Sequence, residues 1–161
     1  MRPARLLIAP LALCLALAAA LPATAAIDRP GWASLDTSKS YPELVAAVKK
    51  AATAEGMSVV TEAGPTEAAK ARGIEIPGNR VIGIFSNDYA VRILRLSTAA
   101  MIEAPLRMYV TANPDGTATL SWKLPSTVFA PYEDEGGAPL AAAAEELDAI
   151  FEAIGREAAA P

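Results

Sequence analysis

Hydrophobic and polar positions alternate most regularly between Arg80 and Leu124, and this stretch predicts the centre of the fold. Val81-Ile82-Gly83-Ile84-Phe85 is apolar at every position, which suits a strand covered on both faces or central in a sheet. Asn87 to Ala100 carries helical spacing. Pro105 to Ala112 and Thr117 to Leu124 alternate with period two around Asn113-Pro114-Asp115-Gly116. Pro114 fits the second position of a type I turn, and Gly116 supplies the left-handed residue of a three-residue hairpin loop. Such a turn pairs Asn113 with Thr117. Ala112 then faces Ala118, Val110 faces Leu120, Met108 faces Trp122 and Leu106 faces Leu124. The other face sets Thr111 against Thr119, Tyr109 against Ser121 and Arg107 against Lys123. A slip of one residue mixes the two faces, so turn chemistry and burial pattern select the same register.

The flanking chain reads as further elements. Ala33 to Thr37 predicts a first strand, with Trp32 packing near its start. Ser40 and Glu43 have the spacing of a capping box. Leu44, Ala47, Val48 and Ala51 then form a helical stripe that Gly56 ends. Met57 to Glu62 alternates as a strand. Gly64-Pro65-Thr66-Glu67 opens a short helix closed by Gly73. In the helix after Ser86, Val91, Leu94 and Met101 share one side, and Asp88, Arg92 and Arg95 form a solvated face. Pro125 to Ala138 reads as a long loop in which Val128, Phe129 and Tyr132 fold back over the sheet. Glu133-Asp134-Glu135 reads as a solvated turn, since three consecutive carboxylates lack the ligand spacing of a calcium loop. Pro139 begins a terminal helix with Leu140, Ala144, Leu147, Phe151 and Ile154 inward. Glu145, Glu146, Asp148 and Glu152 mostly face water.

The expected architecture is a single α+β domain in the order β-α-β-α-β-α-β-β-α. Its sheet is mainly antiparallel, of about four to five strands, packed with helices. The domain spans residues 35–155, between a lead at 26–34 and a tail at 156–161.

Residues 1–25 change the picture of where the chain works. Arg2 and Arg5 precede an apolar run from Leu6 to Leu17, and Ala23-Thr24-Ala25 fits a small-x-small cleavage site. Pro10 and Pro22 interrupt the run, which falls short of the roughly 20 apolar residues of a spanning helix. Leu13 before Cys14 argues against a lipoprotein signal. The expectation is a cleaved signal peptide, a mature start near Ala26, a periplasmic or secreted location and no remaining membrane span.

Cleavage removes the only cysteine and two of the 14 basic residues. Twelve basic and 18 acidic residues remain, a net charge of −6, and the chain has no histidine. That composition excludes disulfides, thiol nucleophiles, Ser-His or Cys-His machinery, and metal or haem sites built on His or Cys. It argues against nucleic acid, because the overall field repels phosphate. No cofactor motif and no metal site is read.

Arg107 and Lys123 are the exception in this acidic chain. The register sets them side by side, flanked by Tyr109 and Ser121. A neighbouring acid such as Glu62 or Glu103 would neutralise them. Alternatively, Arg107, Lys123, Tyr109 and Ser121 form an anion site, with Arg107 gripping a carboxylate or phosphate through its planar fork.

The order of motifs resembles a known family. Gly-Met-Ser-Val-Val follows the first helix. Next come Val81-Ile82-Gly83-Ile84-Phe85-Ser86-Asn87, Ala104-Pro105-Leu106-Arg107-Met108-Tyr109-Val110 and Leu120-Ser121-Trp122-Lys123-Leu124-Pro125. Together these resemble the domain of unknown function 302 family, from about Leu35 to Ile154. Asn87 matches, whereas Asp88 stands where the family has proline. The resemblance implies a small α+β domain that pairs as a homodimer, and it implies no reaction.

Three functional classes follow. The first is a periplasmic binding or accessory module for a small anionic ligand. The second is an enzyme using carboxylates and tyrosine, for which Glu103 and Tyr109 are candidates; no catalytic residue is assigned, because no spacing marks a pair with split pKa values. The third is a purely dimer-forming structural domain.

Overall fold

The computed structural model describes residues 27–161; the expected signal segment, with its expected cleavage site and Cys14, lies outside them. Five strands form one antiparallel sheet: β1 (Trp32–Thr37), β2 (Ser58–Ala63), β3 (Asn79–Phe85), β4 (Leu106–Ala112) and β5 (Ala118–Lys123), in the order β1-β5-β4-β3-β2. The hairpin register is the expected one, from Ala112–Ala118 to Met108–Trp122. Asn113 donates its N–H to Thr117 O at 2.8 Å, and Gly116 has φ +87°. Strand β3 lies between β4 and β2, as its apolar run requires.

The helices supply the core on one face of the sheet. Helix α1 (Tyr41–Ala54) buries Leu44, Val48, Ala51 and Ala52. Its capping box forms: Glu43 Oε2 accepts from the Ser40 N–H at 2.8 Å and the Ser40 hydroxyl at 2.6 Å. Helix α2 (Thr66–Ala71) is the short helix after Pro65. Helix α5 (Glu133–Ala159) covers the sheet beside α1, burying Leu140, Leu147, Phe151 and Ile154. The even positions Met108, Val110, Leu120 and Trp122 meet these helices.

Several boundaries differ from the pattern-based reading. Helix α3 (Asn87–Leu96) stops before Ala100, and a 3₁₀ turn spans Ala99–Glu103. Its buried residue is Ile93, while Val91 and Leu94 are 41% and 49% exposed. Arg92 is not simply solvated: it clasps Glu146 at 2.6 and 3.0 Å. The segment after Leu124 is helical rather than a loop. It forms α4 (Pro125–Phe129), a 3₁₀ turn at Ala130–Tyr132 and the start of α5. Phe129 is 2% exposed, so burial in the core stabilises a helix too short to form alone. Glu133, Asp134 and Glu135 occupy the first turn of α5, where the dipole favours acids, and Glu135 accepts from the Ser97 hydroxyl at 2.6 Å. The helix breaks at Gly137 (φ +57°), two residues before Pro139. Strand β1 starts at Trp32, inside the segment read as a lead. Helix α5 continues through the segment read as a tail, with Ala158 buried.

Candidate functional site

Period-two geometry sends the odd residues of β4 and β5 to the sheet face away from α1 and α5. Arg107, Tyr109, Ser121 and Lys123 therefore share that face. Strand β1 brings Trp32 opposite Lys123, and β3 brings Val81 opposite Tyr109. At the end of the sheet where β5 stops, the last residue of the 3₁₀ turn, Glu103, and Val128 of α4 complete the wall of a cavity of about 470 Å³. Val81 and Val128 give it apolar walls, and it also borders Leu106 and Trp122 of the buried core. Arg107, Lys123 and Glu103 give it charge, and Asn79, Tyr109 and Trp32 complete the lining.

The polar partners of each side chain define what is free to act. Glu103 Oε2 lies 3.7 Å from the Arg107 guanidinium, and Glu103 Oε1 accepts from the Tyr132 hydroxyl at 2.8 Å. The hydrogen bond to Glu103 holds the Tyr132 phenol above its ordinary pKa. Asn79 Nδ2 donates to the Tyr109 hydroxyl. Lys123 Nζ stands 5.7 Å from the centroid of the Trp32 ring. Among the described residues it has no carboxylate partner.

Three of the four residues that the sequence placed in an anion site come together in this cavity: Arg107, Tyr109 and Lys123. Ser121 does not line it. It is 1% exposed and bonded to the Ser34 hydroxyl across the β1–β5 ladder. Of the two acids expected to neutralise the cations, Glu103 does approach Arg107. Glu62 instead joins Lys49 at 2.9 Å and Arg80 at 3.3 Å, away from this site. Sequence reasoning missed Trp32 as a wall of the site. Its place depends on β1 joining β5 across more than eighty residues, and no local pattern reports that pairing. Glu103 and Tyr109 line the same cavity, yet the polar contacts of each go to a different neighbour, and no acid–base pair is formed.

Among the described residues no cluster of three or more acidic, histidine or cysteine side chains is arranged to hold a metal ion, and no helix is long and apolar enough to cross a membrane.

A five-stranded antiparallel sheet, backed by helices on one face and holding a charged cavity at one end of the other, defines a small α+β domain. Residues 33–154 match the family described as Domain of unknown function DUF302, and the chain belongs to that family. A crystal structure of an uncharacterized conserved protein DUF302 from Bacillus stearothermophilus superposes with a TM-score of 0.71 at 16% identity. The match covers 81% of this chain and 99% of that one, and at this identity it is a likeness of fold. No curated protein matches the chain.

Proposed function

We propose that this protein is an exported binding module that receives a small anion in the cavity at the end of β4 and β5. The observation that supports this reading is Lys123. It is an exposed cation on the wall of a cavity of about 470 Å³, beside Arg107 and without a carboxylate partner among the described residues. A ligand that binds the native state raises the melting temperature by an amount that grows with the logarithm of its concentration above Kd. Acetate is therefore expected to raise the melting temperature of the wild type but not of Arg107→Ala/Lys123→Ala. Equal responses in the two proteins would remove the anion site. Export to the periplasm or exterior is part of the reading. Intact-mass measurement of envelope or secreted protein is expected to give a chain starting near Ala26, and a chain starting at Met1 would end it.

A second reading, a homodimer-forming structural domain, is favoured by the open edge of β2, where Val60 is 49% exposed. Light scattering decides it: the mass of a single chain would count against it.

A further inference from the structure

The cavity is larger than a bare oxyanion requires. Its volume of about 470 Å³ lies within the roughly 300–1,000 Å³ of sites for small organic ligands, whereas an oxyanion of a few water volumes fills ~100 Å³. The charges gather at one place. Arg107 and Lys123 stand one position beyond the last ladder pair, Met108–Trp122, and Glu103 is 3.7 Å from Arg107. The rest of the lining is mostly apolar. Val81, Leu106 and Val128 carry no polar side-chain group, and the Tyr109 hydroxyl accepts from Asn79 while keeping its own proton to donate.

The local charge also selects. Two cations and one carboxylate sum to a single positive charge, which one negative charge balances. A dianion would bring its second charge against Glu103, which Tyr132 holds in place.

From these observations we infer that the ligand is a monocarboxylate with an apolar body, a medium-chain or aromatic acid. Its head meets Lys123 and Arg107, and its body lies along Val81, Leu106 and Val128. This inference rests on the anion-binding reading and specifies its ligand. Lys123 is the main determinant of the head, because Arg107 already has Glu103 beside it. Glu103 is a specificity residue that discriminates against dianions such as phosphate esters.

Calorimetric titration with acetate, butyrate, hexanoate, octanoate and neutral octanol tests the inference. Affinity is expected to rise ~2- to 4-fold per methylene until the cavity is filled. Octanoate is expected to bind far more tightly than octanol. Lys123→Met and Arg107→Met, both at exposed positions, are expected to lower octanoate affinity, Lys123→Met more. Glu103→Gln, which keeps an acceptor for Tyr132, is expected to narrow the preference for octanoate over octyl phosphate. If octanoate binds no better than acetate, while the acetate response still depends on the two cations, the apolar-body inference falls and the anion reading stands. If neither acid binds, or both bind the Arg107→Met/Lys123→Met protein equally well, both fall. An unchanged preference in Glu103→Gln overturns the role given to Glu103.

Discussion

The Lys123 ammonium lies 5.7 Å from the centroid of the Trp32 ring, across the β1–β5 pairing that sets these two residues opposite each other. That contact explains how the hairpin tolerates two neighbouring cations. Like charges directly opposite on a sheet are destabilising. Here each cation has its own partner: Arg107 has the Glu103 carboxylate, and Lys123 has the electron-rich face of an indole. The aromatic partner leaves the lysine's charge uncompensated, which a carboxylate would not.

A double-mutant cycle measures that contact. Trp32→Leu and Lys123→Met are expected to show a coupling free energy of about 0.5–1 kcal/mol in urea denaturation, the usual strength of an exposed cation–π pair. Strict additivity would show that the two side chains act independently.

Gly116 closes the β4–β5 hairpin at φ +87°, and an added Cβ there would meet no atom within 4 Å. The cost of substitution is therefore one of backbone conformation alone. Gly116→Val is expected to lose at least ~1 kcal/mol, and Gly116→Asn less, because asparagine tolerates the left-handed region better. Denaturant midpoints of the three proteins check this; an unmoved midpoint in Gly116→Val would contradict the turn.

Gly155 presents the opposite case. It sits within α5, where alanine would normally improve helix propensity by about 1 kcal/mol. An added Cβ would stand 2.6 Å from Cη2 and 2.9 Å from Cζ3 of Trp122. Overpacking against a buried indole costs about 1–3 kcal/mol. Gly155→Ala is expected to be net destabilising, with a lower melting temperature. A stabilised variant would show that Trp122 or α5 shifts freely.

Glu146 ties α3 to α5. It accepts from Arg92 at 2.6 and 3.0 Å and from the Tyr89 hydroxyl at 3.1 Å. Those bonds, Arg92's first, hold its carboxyl below its ordinary pKa of 4.5. A depressed folded pKa gives stability that is fully present above the unfolded value and is lost as pH falls through the folded one. The melting-temperature difference between wild type and Glu146→Gln is expected to be constant from pH 7 to about 5 and to shrink below 4.5. A difference unchanged at pH 3 would mean the ionised carboxylate contributes nothing.

How far the chain could be read depended on the range of the forces involved. The hairpin register was legible because Pro114, Gly116 and the alternation of Leu106–Leu124 are local and agree. The start of α1 was legible for the same reason, since Ser40 and Glu43 satisfy each other within one turn. The helical nature of 125–138 was hidden. Pro131, Gly136 and Gly137 weaken its local signal, and burial of Phe129 against distant parts of the chain stabilises it. Alternation alone did not report how far the polar face of the sheet is covered: Thr119 and Ser121 are buried, Thr119 bonded to Asp36 and Asn113 and Ser121 to Ser34.

The candidate site divides along the same line. Sequence alone determined that Arg107, Tyr109 and Lys123 share one face and that no histidine and only Cys14 are available for His- or Cys-based chemistry, because side-chain period and composition need no tertiary information. Only the tertiary structure decided that a cavity exists there, that Trp32 and Val128 wall it, that Glu103 takes Arg107 while Lys123 keeps its charge, and that Ser121 lies apart. Each of those facts depends on β1 pairing with β5 and on α4 packing near the end of the sheet. These are contacts between distant segments, set by burial of apolar surface over the whole domain rather than by any residue's immediate neighbours.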